Sequence, residues 1–199
     1  MIGRILFGLT RFLVGGHPRW VGCQPSNRQR IYFANHGSHL DTIVLWAALP
    51  AALRATTHPV AARDYWGTGR LRRHIGGEVL NSILIDRTGA GSPGDALRPL
   101  HDVLDDGRSL ILFPEGTRGP ERLPGPFRSG LYHLAAAHRD VELVPVYLEN
   151  LSRAFPKGAF IPAPIACTAR FGTPLALAPD EEKAAFLERA RGAVAELAG

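Results

Sequence analysis

A chain of 199 residues, 45% of them hydrophobic, is long enough for one packed domain and too apolar for extended disorder. Its two cysteines, Cys23 and Cys167, cannot build a disulfide framework and do not form a CxxC pair, which points to a reducing compartment. The formal charge of +5 rests on arginine, Lys157 and Lys183 being the only lysines, and it favours anionic partners without choosing among lipid headgroups, phosphates and nucleic acid.

No run of 18 apolar residues occurs, so no segment reads as a membrane-spanning helix. Over residues 1–16, Ile2, Ile5, Leu6, Leu9, Phe12 and Leu13 share one helical stripe, opposite Arg4 and Arg11. Arg11 interrupts the apolar centre that a secretory signal needs. The stripe suits a helix lying in a membrane interface, or equally one packed on the protein's own core. The remainder, 17–199, is expected to form a single domain.

Within it, Arg30–Ala34 reads as a buried strand, followed by an apolar helix over 41–53. Pro59–Ala61 is a weaker strand, 65–75 a helix diluted by Gly67 and Gly69, and Leu80–Ile85 a strand. A helix over 95–104 leads to a strand over 109–113 that Pro114 stops. The segment 114–129 holds four prolines and three glycines and is a long loop, of the kind compact domains retain for function. A helix over 131–138, strands over 141–148 and 167–171, and a helix over 181–197 complete the chain. Strands alternating with helices imply an α/β architecture: one layered domain with a largely parallel central sheet flanked by helices.

Three short blocks carry chemistry. In Asn35-His36-Gly37-Ser38-His39-Leu40-Asp41, a continuous helix would hold His36 and Asp41 about 140° apart. With His36 in a strand-to-helix turn, the carboxylate can fold back to the ring, accept its Nδ1–H and leave Nε2 as a base. Such a base suits attack of an alcohol on a thioester. The block Phe113-Pro114-Glu115-Gly116-Thr117-Arg118 follows a strand at its carboxyl end, where open α/β sheets place ligands. There Gly116 allows close backbone approach, Thr117 offers a hydroxyl and Arg118 a bidentate fork for phosphate. Glu115 is expected to accept from a substrate hydroxyl or to hold Arg118. At Ile85-Asp86-Arg87 a third strand ends, and if its strand neighbours that of Arg118 the two arginines converge on one anion. Arg63, with Arg70, Arg72 and Arg73, widens this positive field or belongs to a solvated face.

These blocks resemble the HxxxxD and FPEGTR motifs of the glycerolipid acyltransferase family, whose bacterial members include the lysophosphatidate acyltransferases. Leu84-Ile85-Asp86-Arg87 looks like the family's second block and Val144-Pro145-Val146 its fourth; Phe127-Arg128-Ser129-Gly130 resembles the basic stretch before the last. Order and spacing match over about 30–175. The resemblance implies an acyltransferase domain docked peripherally on the cytoplasmic face of the cell membrane. In it His36 is the base and Asp41 orients it. Arg87, Arg118, Glu115, Gly116, Thr117 and, where many members have lysine, Arg63 hold the acceptor. The donor is acyl-CoA or acyl-acyl carrier protein as co-substrate, the acceptor a lysophospholipid, most simply lysophosphatidic acid. No metal, redox cofactor or covalent acyl-enzyme is implied. Gly119 departs from the family, where serine is frequent.

Other classes are less well supplied. A metal hydrolase would use His36, His39 and Asp41 but lacks HExxH. A serine esterase would use Ser38 but lacks a G-x-S-x-G elbow. A nucleic-acid module would need a recognition motif beyond a pI near 9.8, and none is present.

Overall fold

The structure, a computed structural model, describes residues 17–38, 40–62, 77, 80–85, 96–119, 122–149 and 167–199. In chain order these form β1 (His17–Trp20), β2 (Arg30–Ala34), α1 (Asp41–Ala48), α2 (Ala51–Arg54), β3 (Thr57–Ala62) and β4 (Ile83–Ile85). They continue with α3 (Arg98–Asp105), β5 (Ser109–Leu112), α4 (Gly130–Ala137), β6 (Glu142–Glu149), β7 (Thr168–Phe171) and α5 (Lys183–Glu196).

The strands make one seven-stranded sheet in the order β1-β7-β6-β2-β5-β3-β4. Pairing is parallel throughout except between β6 and β7, so β1 and β7 run against the other five. Every residue of β2 is buried, as expected of a central strand in a sheet covered on both faces. Its side chains alternate between two cores. Ile31 and Phe33 join Leu110 and Leu112 under α3, α4 and α5 through Leu100, Leu131, Leu134 and Phe186. Tyr32 and Ala34 join Ile111, Val144 and Val146 against Val44, Leu45 and Leu49 on the other face. Burying large apolar side chains at about 1.5–3 kcal/mol each on both faces makes β2 the least movable element, and the active block leaves from its end.

The sheet agrees with the α/β expectation, and the details differ where local pattern is weakest. The expected helix over 41–53 is two helices: Leu49 is extended at ψ 145° ahead of Pro50, as the residue before proline prefers. β3 is longer than expected because its first residues are polar yet buried. Thr57 Oγ1 donates to the Leu53 carbonyl at 2.7 Å, and His58 Nδ1 lies 2.9 Å from the Asn81 carbonyl. β1 had no apolar signal at all. It is a largely exposed edge strand that tolerates Pro18, and Trp20 anchors it by stacking on Phe171 at 3.9 Å. Residues 1–16 and the expected helix over 65–75 lie outside the described residues. Among the described residues no helix is long and apolar enough to cross a membrane.

Candidate active site

β2 and β5 are parallel neighbours, with Phe33 opposite Leu112, so the blocks that follow them leave the sheet side by side at its carboxyl edge. β2 also pairs with β6 on its other side, and Asn35 extends that contact: its side-chain amide donates to the Leu148 carbonyl at 3.2 Å and accepts from the Leu148 N–H at 2.7 Å. The turn after β2 therefore starts from a fixed point.

Asp41, in the first turn of α1, is 1% exposed. A single oxygen, Oδ2, accepts from His36 Nδ1 at 2.8 Å, from the Gly37 N–H at 2.7 Å and from the Ser38 N–H at 2.9 Å. The Asp41 carboxylate thus satisfies the turn's own backbone while gripping the ring. An ionised carboxylate only accepts, so Nδ1 carries the hydrogen and Nε2 keeps its lone pair. The His36 side chain retains 21% exposure. The other face of the ring geometry is set by Phe113, whose ring stacks on the imidazole at 4.4 Å and 24°.

The loop after β5 is built around the same histidine. The His36 N–H donates to Glu115 Oε1 at 2.8 Å, and the Gly119 N–H donates to the His36 carbonyl at 2.9 Å. The second Glu115 oxygen accepts from the Gly125 N–H at 3.1 Å. Arg128 closes the loop: its N–H donates to the Pro114 carbonyl at 2.9 Å and its Nε to the Glu115 carbonyl at 3.2 Å. Gly116 sits beneath that side chain at φ +72°, where an added Cβ would come within 2.5 Å of Arg128 Nε. Thr117 and Arg118 are exposed at the loop's outer side.

Of the residues expected at the site, the structure brings together His36, Asp41 and Glu115; Gly116, Thr117 and Arg118 follow Glu115 in the same loop, the last two exposed. The Glu115 carboxylate meets the backbone N–H groups of His36 and Gly125, one on each oxygen. The strands that lead to Arg118 and Arg87 are one strand apart and not neighbours, with β3 between β5 and β4. Arg87 itself, and Arg63 just beyond β3, lie outside the described residues, as does His39. Asn35, Phe113, Gly125 and Arg128 had no assigned part, although all but Gly125 stood inside the quoted blocks.

Two other groups are unsuited to nucleophilic work. Ser38 is 2% exposed and its Oγ accepts from the Leu40 N–H at 3.3 Å. Cys167 is buried, and burial, then the charges of Asp41 and Glu149, push its thiol up to about 12. Among the described residues no three His, Cys, Asp or Glu side chains are grouped to hold a metal ion.

The chain matches the model of the Acyltransferase family over residues 22–149. The chain belongs to the Acyltransferase family. Curated relatives include 1-acyl-sn-glycerol-3-phosphate acyltransferases of Limnanthes alba, 28% identical over 88% of this chain, and of Cocos nucifera, 25% identical over 88%. The human enzyme named 1-acyl-sn-glycerol-3-phosphate acyltransferase alpha is 28% identical over 74% of the chain and is itself covered to 48%. The chain spans 60% of the Limnanthes protein and 55% of the Cocos protein. Among solved structures, the 1-acyl-sn-glycerophosphate (LPA) acyltransferase PlsC from Thermotoga maritima shares the fold of this acyltransferase at a TM-score of 0.70. It is 24% identical, with 98% of this chain and 79% of that one covered.

Proposed function

We propose that this acyltransferase moves a fatty acyl group from a thioester, acyl-CoA or acyl-acyl carrier protein, to the sn-2 hydroxyl of lysophosphatidic acid, forming phosphatidic acid. The observation that carries the proposal is the His36–Asp41 pair at 2.8 Å, set beside the loop after β5 that contains Arg118. The names of its relatives point the same way.

His36 Nε2 takes the proton of the acceptor hydroxyl as its oxygen attacks the thioester carbonyl. Asp41 stabilises the imidazolium so formed across the Nδ1 hydrogen bond. Collapse of the tetrahedral species breaks the C–S bond, and the leaving thiolate takes the proton back from the imidazolium. Ester and free thiol are the products, with no enzyme-bound acyl group and no metal or redox cofactor in the scheme. Arg118, assisted by Arg87 and Arg63, holds the acceptor phosphate through charge-assisted hydrogen bonds. Thr117 and Gly116 line its glycerol. The enzyme works peripherally on the cytoplasmic face of the cell membrane, with residues 1–16 as the surface anchor, and takes no nucleic acid.

The test is release of free thiol from a C16 acyl-CoA against lysophosphatidic acid, glycerol 3-phosphate, lysophosphatidylcholine and monoacylglycerol. Turnover restricted to phosphomonoester acceptors and lost in His36→Ala is expected. An uncharged acceptor turned over at an equal rate would remove the phosphate assignment. Arg118→Ala should raise the acceptor KM more than the donor KM, and equal effects on both would contradict its role.

A further inference from the structure

The base is held from two sides, and only one of them is its carboxylate partner. Asp41 fixes the ring, while the loop over 114–129 fixes the main chain that carries the ring. The His36 N–H lies beyond both ladders of β2, whose registers end at Phe33–Leu112 and at Ala34–Val146. Glu115, 79 residues away in sequence, supplies the acceptor at 2.8 Å, and the Gly119 N–H satisfies the His36 carbonyl at 2.9 Å. Both peptide groups that set the backbone torsions of His36 are thus bonded to one loop.

We propose that Glu115 is a positioning residue for the base, its carboxylate bridging the His36 N–H and the Gly125 N–H so that the base stands in register only when the proline-rich loop is folded back. The inference rests on His36 being the base, as set out above. Several observations support a bridge over a substrate contact. Each carboxylate oxygen already accepts from a backbone N–H. The carbonyl of the same residue accepts from Arg128 Nε, which anchors the main chain of Glu115 as well as its side chain. Gly125, at which an added Cβ would stand 3.3 Å from Glu115 Oε2, leaves room for the close approach. An anion is also the only acidic or amide side chain able to serve this arrangement. It accepts from two N–H donors at once, whereas glutamine has one accepting oxygen and would turn its amide hydrogens against the second donor.

The chemical consequence is specific. A displacement of about 1 Å at a reacting group far from any loss of binding can cost about 10²-fold in turnover. Glu115→Gln is therefore expected to lower kcat by about 10–10²-fold while the acceptor KM stays within about twofold, because the phosphate side of the loop is untouched. A residue that held the acceptor would do the opposite, raising KM with kcat preserved, and that result would overturn the proposal. Glu115→Asp keeps the charge but shortens the reach by one methylene, and it should recover only part of kcat.

A second measurement is independent of turnover and of the acceptor chosen. In the wild-type protein, the backbone amide resonance of His36 should shift as Glu115 is protonated, and its hydrogen exchange should be slow at neutral pH. In Glu115→Gln the His36 amide should exchange faster than in wild type and should no longer respond to acidification. An amide that ignores acidification, or one that exchanges equally slowly in the two proteins, would overturn the bridge even if the enzyme is active on lysophosphatidic acid. Failure of the functional proposal reads differently: His36→Ala would retain turnover while the His36 amide still reported Glu115.

Discussion

Replacing Asp41 by asparagine separates two jobs that the carboxylate does at once. Its Oδ2 accepts three hydrogen bonds, from His36 Nδ1, Gly37 N–H and Ser38 N–H, while among the described residues Oδ1 has no partner. Asparagine can put its carbonyl oxygen where Oδ2 stands and its amide where Oδ1 stands. Turning the amide round would present hydrogens to two backbone N–H groups and leave both unsatisfied, at about 1–3 kcal/mol each. The unflipped form therefore dominates, and His36 keeps its Nδ1–H tautomer. What Asp41→Asn loses is charge: the hydrogen bond that the imidazolium Nδ1–H donates to a charged acceptor is worth about 1.5–3 kcal/mol. At 1.36 kcal/mol per decade, kcat should fall about 10–10²-fold. Asp41→Ala should fall much further, towards the roughly 10⁴-fold that the wrong imidazole tautomer costs triad hydrolases, because it also frees the ring and both turn N–H groups. Initial rates of thiol release at saturating donor, with melting curves to confirm folding, compare the two variants. Asparagine and alanine variants equally inactive would mean that the amide does flip, refuting the claim that Gly37 and Ser38 hold the tautomer. An asparagine variant as fast as wild type would show that the charge contributes nothing.

Gly116→Ala places a side chain at φ +72° and drives a Cβ against Arg128. The left-handed conformation alone costs about 1–2 kcal/mol, and the melting temperature should drop by about 2–8 °C with a matching loss of kcat. Glu142→Gln should destabilise the protein by about 2 kcal/mol in urea titration, since Arg30, 5% exposed at its side chain, would lose the partner of a 2.8 Å ion pair. Burial opposes the charged form of Glu142, but the hydrogen bonds from Arg30 and Arg28 prevail and hold its carboxyl below the ordinary value of 4.5. That contribution is present above the ordinary value, fades as pH falls through the lowered one, and should vanish from the acid limb of the melting profile in the variant. His138 behaves with the opposite chemistry. Burial, then the neighbouring His101, holds its imidazole below 6.5 against a smaller pull from Asp105. The unfolded chain therefore takes the proton first, and stability should decline as pH drops below 6.5 towards the lowered value. His138→Gln should flatten this decline in melting temperature, and an unchanged slope would count against it.

The parallel sheet was legible because short apolar runs alternating with helical stretches leave few ways to bury both faces, and β2, β5 and β6 are such runs. β1 was not, because an exposed edge strand needs no apolar pattern and is stabilised only by lying against β7. The His36–Asp41 contact was legible for a local reason: five residues across a strand-to-helix turn let the carboxylate fold back onto the ring. Which backbone atoms those side chains meet was not local. Glu115 reaches the His36 N–H only because β2 and β5 are register-matched neighbours, a pairing decided by the packing of two cores. By itself the sequence determined that a histidine–aspartate pair and an arginine loop exist on an α/β frame. The tertiary structure alone decided that the loop's glutamate serves the histidine's main chain, because hydrogen bonds to peptide groups carry no side-chain signature in the partner.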